Sequence, residues 1–212
     1  MFNLPKSTFV KKIIPKNAFD FYTNTKQKKV FTEKILRITW TNKVSLDTIN
    51  ISGKEVKEIL FFEVELKDKF EAKDLLTIID KAIPYNIIFV IKYLDEYYIS
   101  TSAKHTHPSN EDSAVIDYTF KSCWLGLINQ PYTIELKNNL DWVFQNFCEQ
   151  LKSTKSNFSS IKELIEKEKR MDSMAKEIEQ IKSEIKRCNQ FNKKVELNIR
   201  LNELTKLLES SN

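Results

Sequence analysis

The chain has 212 residues, 41% of them hydrophobic, which is room and apolar content for one mid-sized domain with an appendage or two small domains, and too much for a disordered tail. Two glycines, Gly53 and Gly126, exclude the phosphate-cradling loops, which need several glycines close together, and three scattered cysteines, Cys123, Cys148 and Cys188, exclude a disulfide scaffold or a Cys-based zinc site. The net charge of +5 is uneven: residues 1–34 carry eight lysines against Asp20 and Glu33, residues 35–159 come to −3, and residues 160–212 to +2.

The amino terminus shows no basic-then-apolar leader pattern, and the longest apolar runs fall far short of the ~20 residues that span a bilayer, so the expectation is a cytoplasmic protein that does not enter the membrane. Pro5 and Pro15 punctuate the first 23 residues, with Phe9, Val10, Ile13 and Ile14 as short apolar groups lying across the domain. A helix is expected from about Asn24 to Ile35. Leu36, Ile38 and Trp40 then alternate with polar neighbours as in a half-buried strand, and a short strand is expected at Thr48–Ile51.

Leu60, Phe62, Val64 and Leu66 alternate with Phe61, Glu63, Glu65 and Lys67, which predicts a strand. Asp68 and Glu71 have capping-box spacing, and Ala72, Leu75, Leu76, Ile79, Ala82 and Ile83 follow an amphipathic helix that Pro84 stops. The run Ile87–Ile91 predicts a strand covered on both faces, turned at Asp95-Glu96 into a partner around Tyr97–Thr101. Residues 102–113 are polar and predict a surface loop, Ile116, Tyr118, Phe120 and Trp124 a further strand, and Leu140 to Leu151 a helix capped by Asn138 or Asn139. The fold class is therefore α+β: a small, mainly antiparallel sheet with packing helices over residues 1–151, a polar linker over 152–160, and a helical arm over 161–209.

The arm opens on a second capping box, Ser160 with Glu163, and runs about 50 residues without glycine or proline. Met171, Met174, Ile178, Ile181, Ile185 and Cys188 step by three and four, the seam of a coiled coil. At Asn189–Asn192 the pattern breaks, and Leu197, Leu201, Leu204 and Leu208 form an offset stripe accompanied by Val195 and Ile199. Either one helix continues through a stutter or the chain folds back as an antiparallel hairpin. A wet Ile or Leu forfeits ~1.5–3 kcal/mol, so the seam needs cover from its own second half, from the globular domain, from a second copy, or from another protein.

Chemistry-bearing groups are few. Glu65-Leu66-Lys67 is the metal-binding spacing of many restriction-type nucleases; carboxylates would hold Mg²⁺ and the lysine would stabilise the attacked phosphate, with Asp47 as the remaining acid. A solvated strand face in a Lys- and Glu-rich chain spells the same tripeptide. His105 and His107, the only histidines, with Glu111 and Asp112 nearby, fall in the expected surface loop, and neither a metal site nor a cofactor is expected there. No serine or cysteine is paired with either histidine as a nucleophile. Lys11, Lys12, Lys16, Lys26, Lys28 and Lys29 could meet phosphates without reading sequence, since only four of 34 basic residues are arginine. Phe19, Phe21, Tyr22, Tyr97 and Tyr98 could stack bases, although aromatics in strands and short helices are usually core.

The run from Cys188 through Gln190-Phe-Asn-Lys-Lys-Val-Glu-Leu-Asn198 to Leu201, together with Ile14-Pro-Lys-Asn17, Ile38-Thr-Trp40, Lys43-Val-Ser45 and Ile79-Asp-Lys-Ala-Ile-Pro84, resembles the bacterial domain-of-unknown-function family 4391 over nearly the whole chain. Members are often encoded near helicases and DNA methyltransferases of restriction-like systems, so the resemblance implies an accessory of DNA processing; it supplies no catalytic residues. Together the observations point to a non-enzymatic interaction protein whose arm self-associates or docks on a protein partner through Met171, Met174, Ile178, Ile181, Ile185, Gln190, Phe191, Val195, Leu201 and Leu204. The Mg²⁺-dependent nuclease and the nucleic-acid tether stand as alternatives.

Overall fold

The computed structural model describes residues 2–152 and 158–211, apart from the side chains of Glu111, Asp112 and Ser211. The chain divides into two compact units, residues 1–152 and 153–212. Strand β1 (Phe9–Ile14) follows a single 3-10 turn, and a 3-10 helix, Lys16–Tyr22, leads to α1 (Thr25–Lys34). Asn24 and Gln27 close a reciprocal capping box on α1 at 2.9 Å in both directions. Then come β2 (Ile35–Ser45), α2 (Leu46–Ile49), β3 (Glu58–Leu66), α3 (Lys73–Ala82), β4 (Asn86–Tyr93), β5 (Glu96–His107), β6 (Asn110–Lys121), the two-residue β7 (Leu125–Gly126) and α4 (Leu140–Gln150).

The strands form one sheet in the order β1-β2-β3-β4-β5-β6, with β7 beside β5. Every pairing is antiparallel except β3 with β4, which α3 connects as a crossover. On one face, Ile38, Phe62, Val64, Phe89 and Ile91 meet Phe31 of α1 and Leu75, Leu76 and Ile79 of α3 in the main core. On the other face, Phe2 fills the space between Phe61 of β3 and Phe147 of α4, with ring centroids 5.5 and 5.6 Å away. Strand β4 is therefore buried from Asn86 to Ile91, as its unbroken apolar run requires.

A close approach fixes the start of α4. Leu140 N–H donates to Ser52 O at 2.9 Å, and a Cβ on Gly53 would lie 2.2 Å from Val56 O and 2.9 Å from Leu140 Cβ, so only glycine fits. The Asp141 carboxylate accepts the backbone N–H groups of Lys54, Glu55 and Val56 at 2.5, 2.8 and 2.8 Å. Burial pushes this carboxyl up, but these three donors and the backbone N–H of Asp141 itself together outweigh burial and hold it below the usual carboxylate range.

Several sequence expectations are corrected. The N-terminal apolar groups form an edge strand, β1, rather than lying across the domain. A bulge in β2 between Ile35 and Arg37 turns Ile35 and Ile38 inward together and leaves Leu36 exposed. The expected strand at Thr48–Ile51 is instead the short helix α2, since Thr48 Oγ1 accepts the Ser45 N–H at 2.9 Å at its start and Asn50 ends it in the left-handed conformation. Asp68 and Glu71 do not cap α3: they pair with Lys34 and Lys121, and the Ala72 N–H is taken by the Tyr98 hydroxyl at 3.0 Å. Burial pushes that hydroxyl's pKa up to about 12. The β4–β5 turn is Leu94-Asp95, with Leu94 at φ 49° and Glu96 already in β5. Residues 102–113 are not a surface loop: β5 and β6 extend as a hairpin to a turn at Pro108-Ser109.

Among the described residues no helix is long and apolar enough to cross a membrane. The second unit holds α5 (Ile161–Arg187) and α6 (Phe191–Ser211); of the expected linker, residues 153–157 lie outside the described residues.

Candidate functional site

Ser160 caps α5 by accepting Glu163 N–H at 3.3 Å, while the Glu163 carboxylate turns to Ser159 N–H and Oγ at 3.0 and 2.7 Å, so the capping box closes one residue early. The helix stops at Cys188, whose backbone is extended, and α6 starts after Asn189 and Gln190. Asparagine is a poor helix former, and a three-residue break is enough to reverse direction. The two helices form an antiparallel hairpin: Ile178, Ile181 and Leu204 are buried together, with Ile185 and Leu197 toward the turn and Met174 and Leu208 away from it. The Arg200 guanidinium bridges back to Glu177 Oε1 at 3.1 and 3.0 Å.

The seam therefore has cover from its own second half, which corrects the expectation of an apolar stripe awaiting a partner. The residues assigned to partner binding separate into two groups. Met174, Ile178, Ile181, Ile185, Leu201 and Leu204 line the inside of the hairpin, and Met171 is half-buried farther from the turn. Gln190 belongs to the turn, and its carbonyl accepts from Cys188 Sγ at 3.5 Å. Phe191 and Val195 lie on the outer face of α6 with Ile199, at i, i+4 and i+8, and are 78%, 42% and 55% exposed.

The Glu-x-Lys elements are not gathered into a site. Glu65 is held by Arg37 from β2, and Glu63 by Lys92 from β4 at 2.5 Å, so cations already answer both carboxylates. Lys67 lies past the strand end, its Nζ donating to Thr32 O at 3.0 Å. Asp47 sits at the opposite end of β3, beside the Lys43–Glu58 pair (2.6 Å), where Glu58 first and Asp47 among the others raise the Lys43 ammonium pKa. Seven residues of strand separate Glu58 from Glu65, about 23 Å, so Asp47 and Glu65 cannot share one metal ion.

His105 Nδ1 is 2.9 Å from Asp117 Oδ2 across the β5–β6 hairpin, and His107 Nδ1 accepts Ser109 N–H at 3.2 Å. The side chains of Glu111 and Asp112 lie outside the described residues. Of the basic segment, Lys28 pairs with Asp20 at 3.3 Å, Lys29 with Glu33 at 3.7 Å, and Lys11 sits 5.0 Å from the centroid of Phe9. Lys12, Lys16 and Lys26 form no ion pair among the described residues. Phe19 is core, Tyr97 and Tyr98 are buried, and Phe21 and Tyr22 are exposed.

A buried ionic cluster escaped the sequence because two of its members, Ser102 and Lys104, fall in the expected surface loop and look like solvated polar groups. Lys104 Nζ on β5 reaches Asp80 Oδ1 at 2.9 Å and the carbonyls of Asp80 and Ile83 at 2.8 Å each, closing the C-terminal end of α3. Ser102 Oγ donates to Asp80 Oδ2 at 2.6 Å and meets Thr119 Oγ1 at 3.0 Å. Burial raises the Asp80 carboxyl and lowers the Lys104 ammonium from their ordinary values, and their mutual attraction works against both shifts. Every polar atom here is engaged within the fold, so the cluster fastens α3 to β5. The one signal available was Asp80 on the apolar side of α3.

A family model described as "Domain of unknown function (DUF4391)" matches residues 2–208. The chain belongs to that family. The match takes in β1 through α6, so the sheet unit and the hairpin are both parts of the DUF4391 domain. No curated protein and no solved structure matches the chain.

Proposed function

We propose that this DUF4391 domain is a non-enzymatic interaction protein whose hairpin docks a protein partner along the outer face of α6, as an accessory of a DNA-processing or restriction-like system. The observation that carries it is the stripe Phe191–Val195–Ile199, left exposed although the same helix has already buried Leu204 inside the hairpin. A stripe at i, i+4 and i+8 fits an amphipathic helix laid along α6, the third helix of a small bundle. Because the seam is shut, the helix comes from a second copy or another protein, and it meets the outer stripe rather than the seam. The separation of Asp47 from Glu65 and the engaged carboxylates on β3 weigh against the nuclease alternative.

The test places a photo-crosslinking side chain at Val195 or, as reference, at exposed Lys176 on α5, in the full chain expressed in its native cell. The expected result is one adduct from Val195, a self-adduct or a single other protein, absent from Lys176 and abolished by Ile199→Glu. Equal adducts at both positions, or none at Val195, would remove the stripe from any docking role.

A further inference from the structure

A second surface, on the sheet unit, has chemistry of its own. The 3-10 helix Lys16–Tyr22 is anchored by Phe19, which is 5% exposed and stacked on Phe31 of α1 with centroids 6.0 Å apart. Two residues on, Phe21 is 92% exposed, with Tyr22 edge-on to it at 5.4 Å and 82°. The anchor holds the Phe21 ring outward on the turn, and among the described residues no ring other than Tyr22 pairs with it.

Lysines occur in the turn and in the elements on either side of it. Lys16 opens it, and Lys67 stands near enough that its charge, after burial, is the second cause lowering the Lys16 ammonium pKa. Lys67 is kept in place by Thr32 O. Lys26 lies in the first turn of α1, and Lys12, exposed on the edge strand β1, pairs in register with Trp40. The one acid of the turn, Asp20, is answered by Lys28 at 3.3 Å, which leaves Lys16, at the start of the turn, and Lys67, on Thr32 O of α1, as cations that a phosphate can approach. The exposed apolar groups of this turn are aromatic rings, which stack on bases. Base faces are hidden in a duplex and open in a single strand, and the absence of arginine from the patch leaves no bidentate reader of base edges.

We propose that Lys12, Lys16, Lys26 and Lys67 hold the backbone of a single-stranded nucleic acid while Phe21, braced by Tyr22, stacks on one of its bases. The contact is indifferent to sequence and independent of the docking role assigned to α6.

Fluorescence anisotropy of the full chain with a labelled oligothymidine of about twelve nucleotides tests it. Binding is expected at low salt, with log K falling on log salt at a slope of about −2 to −3, and Lys16→Gln should make that slope shallower by about 0.7. Phe21→Ala and Phe21→Leu should each weaken binding about tenfold or more, and Phe21→Trp should preserve it, all three with unchanged circular dichroism. Leucine separates stacking from simple apolar contact. A duplex of equal length should compete poorly, and so should vesicles of mixed phosphatidylcholine and phosphatidylserine. No binding at low salt, equal or tighter binding of duplex or vesicles, or unchanged affinity in Phe21→Ala would each overturn the proposal.

Discussion

The sheet unit and the hairpin bury apolar side chains in different ways. In the sheet, β4 has cover on both faces, and even a lysine, Lys104, is buried with every hydrogen bond satisfied. In the hairpin each helix covers one face of the other, and α6 keeps Phe191, Val195 and Ile199 on the side away from the seam. A sheet with helices on both faces encloses its residues from above and below. Two helices alone have an inside that is one stripe wide, so a second stripe must stay wet or find a third element.

The contrast can be broken most severely at the buried ionic cluster. Lys104→Met strands the Asp80 carboxylate in the core and should cost ~3–5 kcal/mol in urea unfolding; a loss under ~1 kcal/mol would mean water reaches the site. Next comes the hairpin interior, where Leu204→Ala leaves a cavity against Ile178 and Ile181 and should cost ~2–3 kcal/mol, read as lost helicity on denaturation. Helicity unchanged by this substitution would deny the packed seam.

Smaller is the contribution of Asp141. Asp141→Asn removes a charged acceptor of three backbone donors and should cost ~1–3 kcal/mol at neutral pH. The folded-state carboxyl lies below its ordinary value, so its stabilisation is present above about pH 4 and is lost as pH falls through the folded value. The gap between wild type and Asp141→Asn should therefore narrow from about pH 4 downward, and a gap that widened on acidification would reverse the assignment. The smallest effect sharpens the comparison: Phe191→Ser and Ile199→Ser should each change stability by no more than ~0.5 kcal/mol, since both side chains are largely wet.

What the sequence made legible follows from where the apolar residues repeat. Strands β3 and β4 and helices α3 and α4 show their periods directly, because Leu60, Phe62 and Val64 alternate and Leu75, Leu76 and Ile79 share a helical face. Residues 102–113 were opaque because the β5 positions that pack there are Ser102, Ala103 and Lys104, buried by small size or by pairing rather than by hydrophobicity. β1 was hidden by its proline-flanked, lysine-rich edge, and α2 by a capping pair that looks like a strand turn. For the candidate sites, the Glu-x-Lys spacing said nothing of register, and only the β2–β3 pairing places Asp47 and Glu65 at opposite ends. The two stripes of the arm were visible, but a stutter and a reversal share that pattern, so which stripe closed and which stayed open had to come from the fold.

The division of the hairpin into a closed seam and an open stripe is tested most directly by cysteine labelling, with Cys123 and Cys188 changed to Ser, the buried Cys148 kept as an unreactive background, and one cysteine added at residue 178, 204, 195 or 199. In the purified chain, positions 195 and 199 should react with maleimide fast and positions 178 and 204 slowly; in the native cell, 195 and 199 should become slow as well. Positions 178 and 204 reacting as fast as 195, or a stripe equally reactive inside and outside the cell, would contradict it.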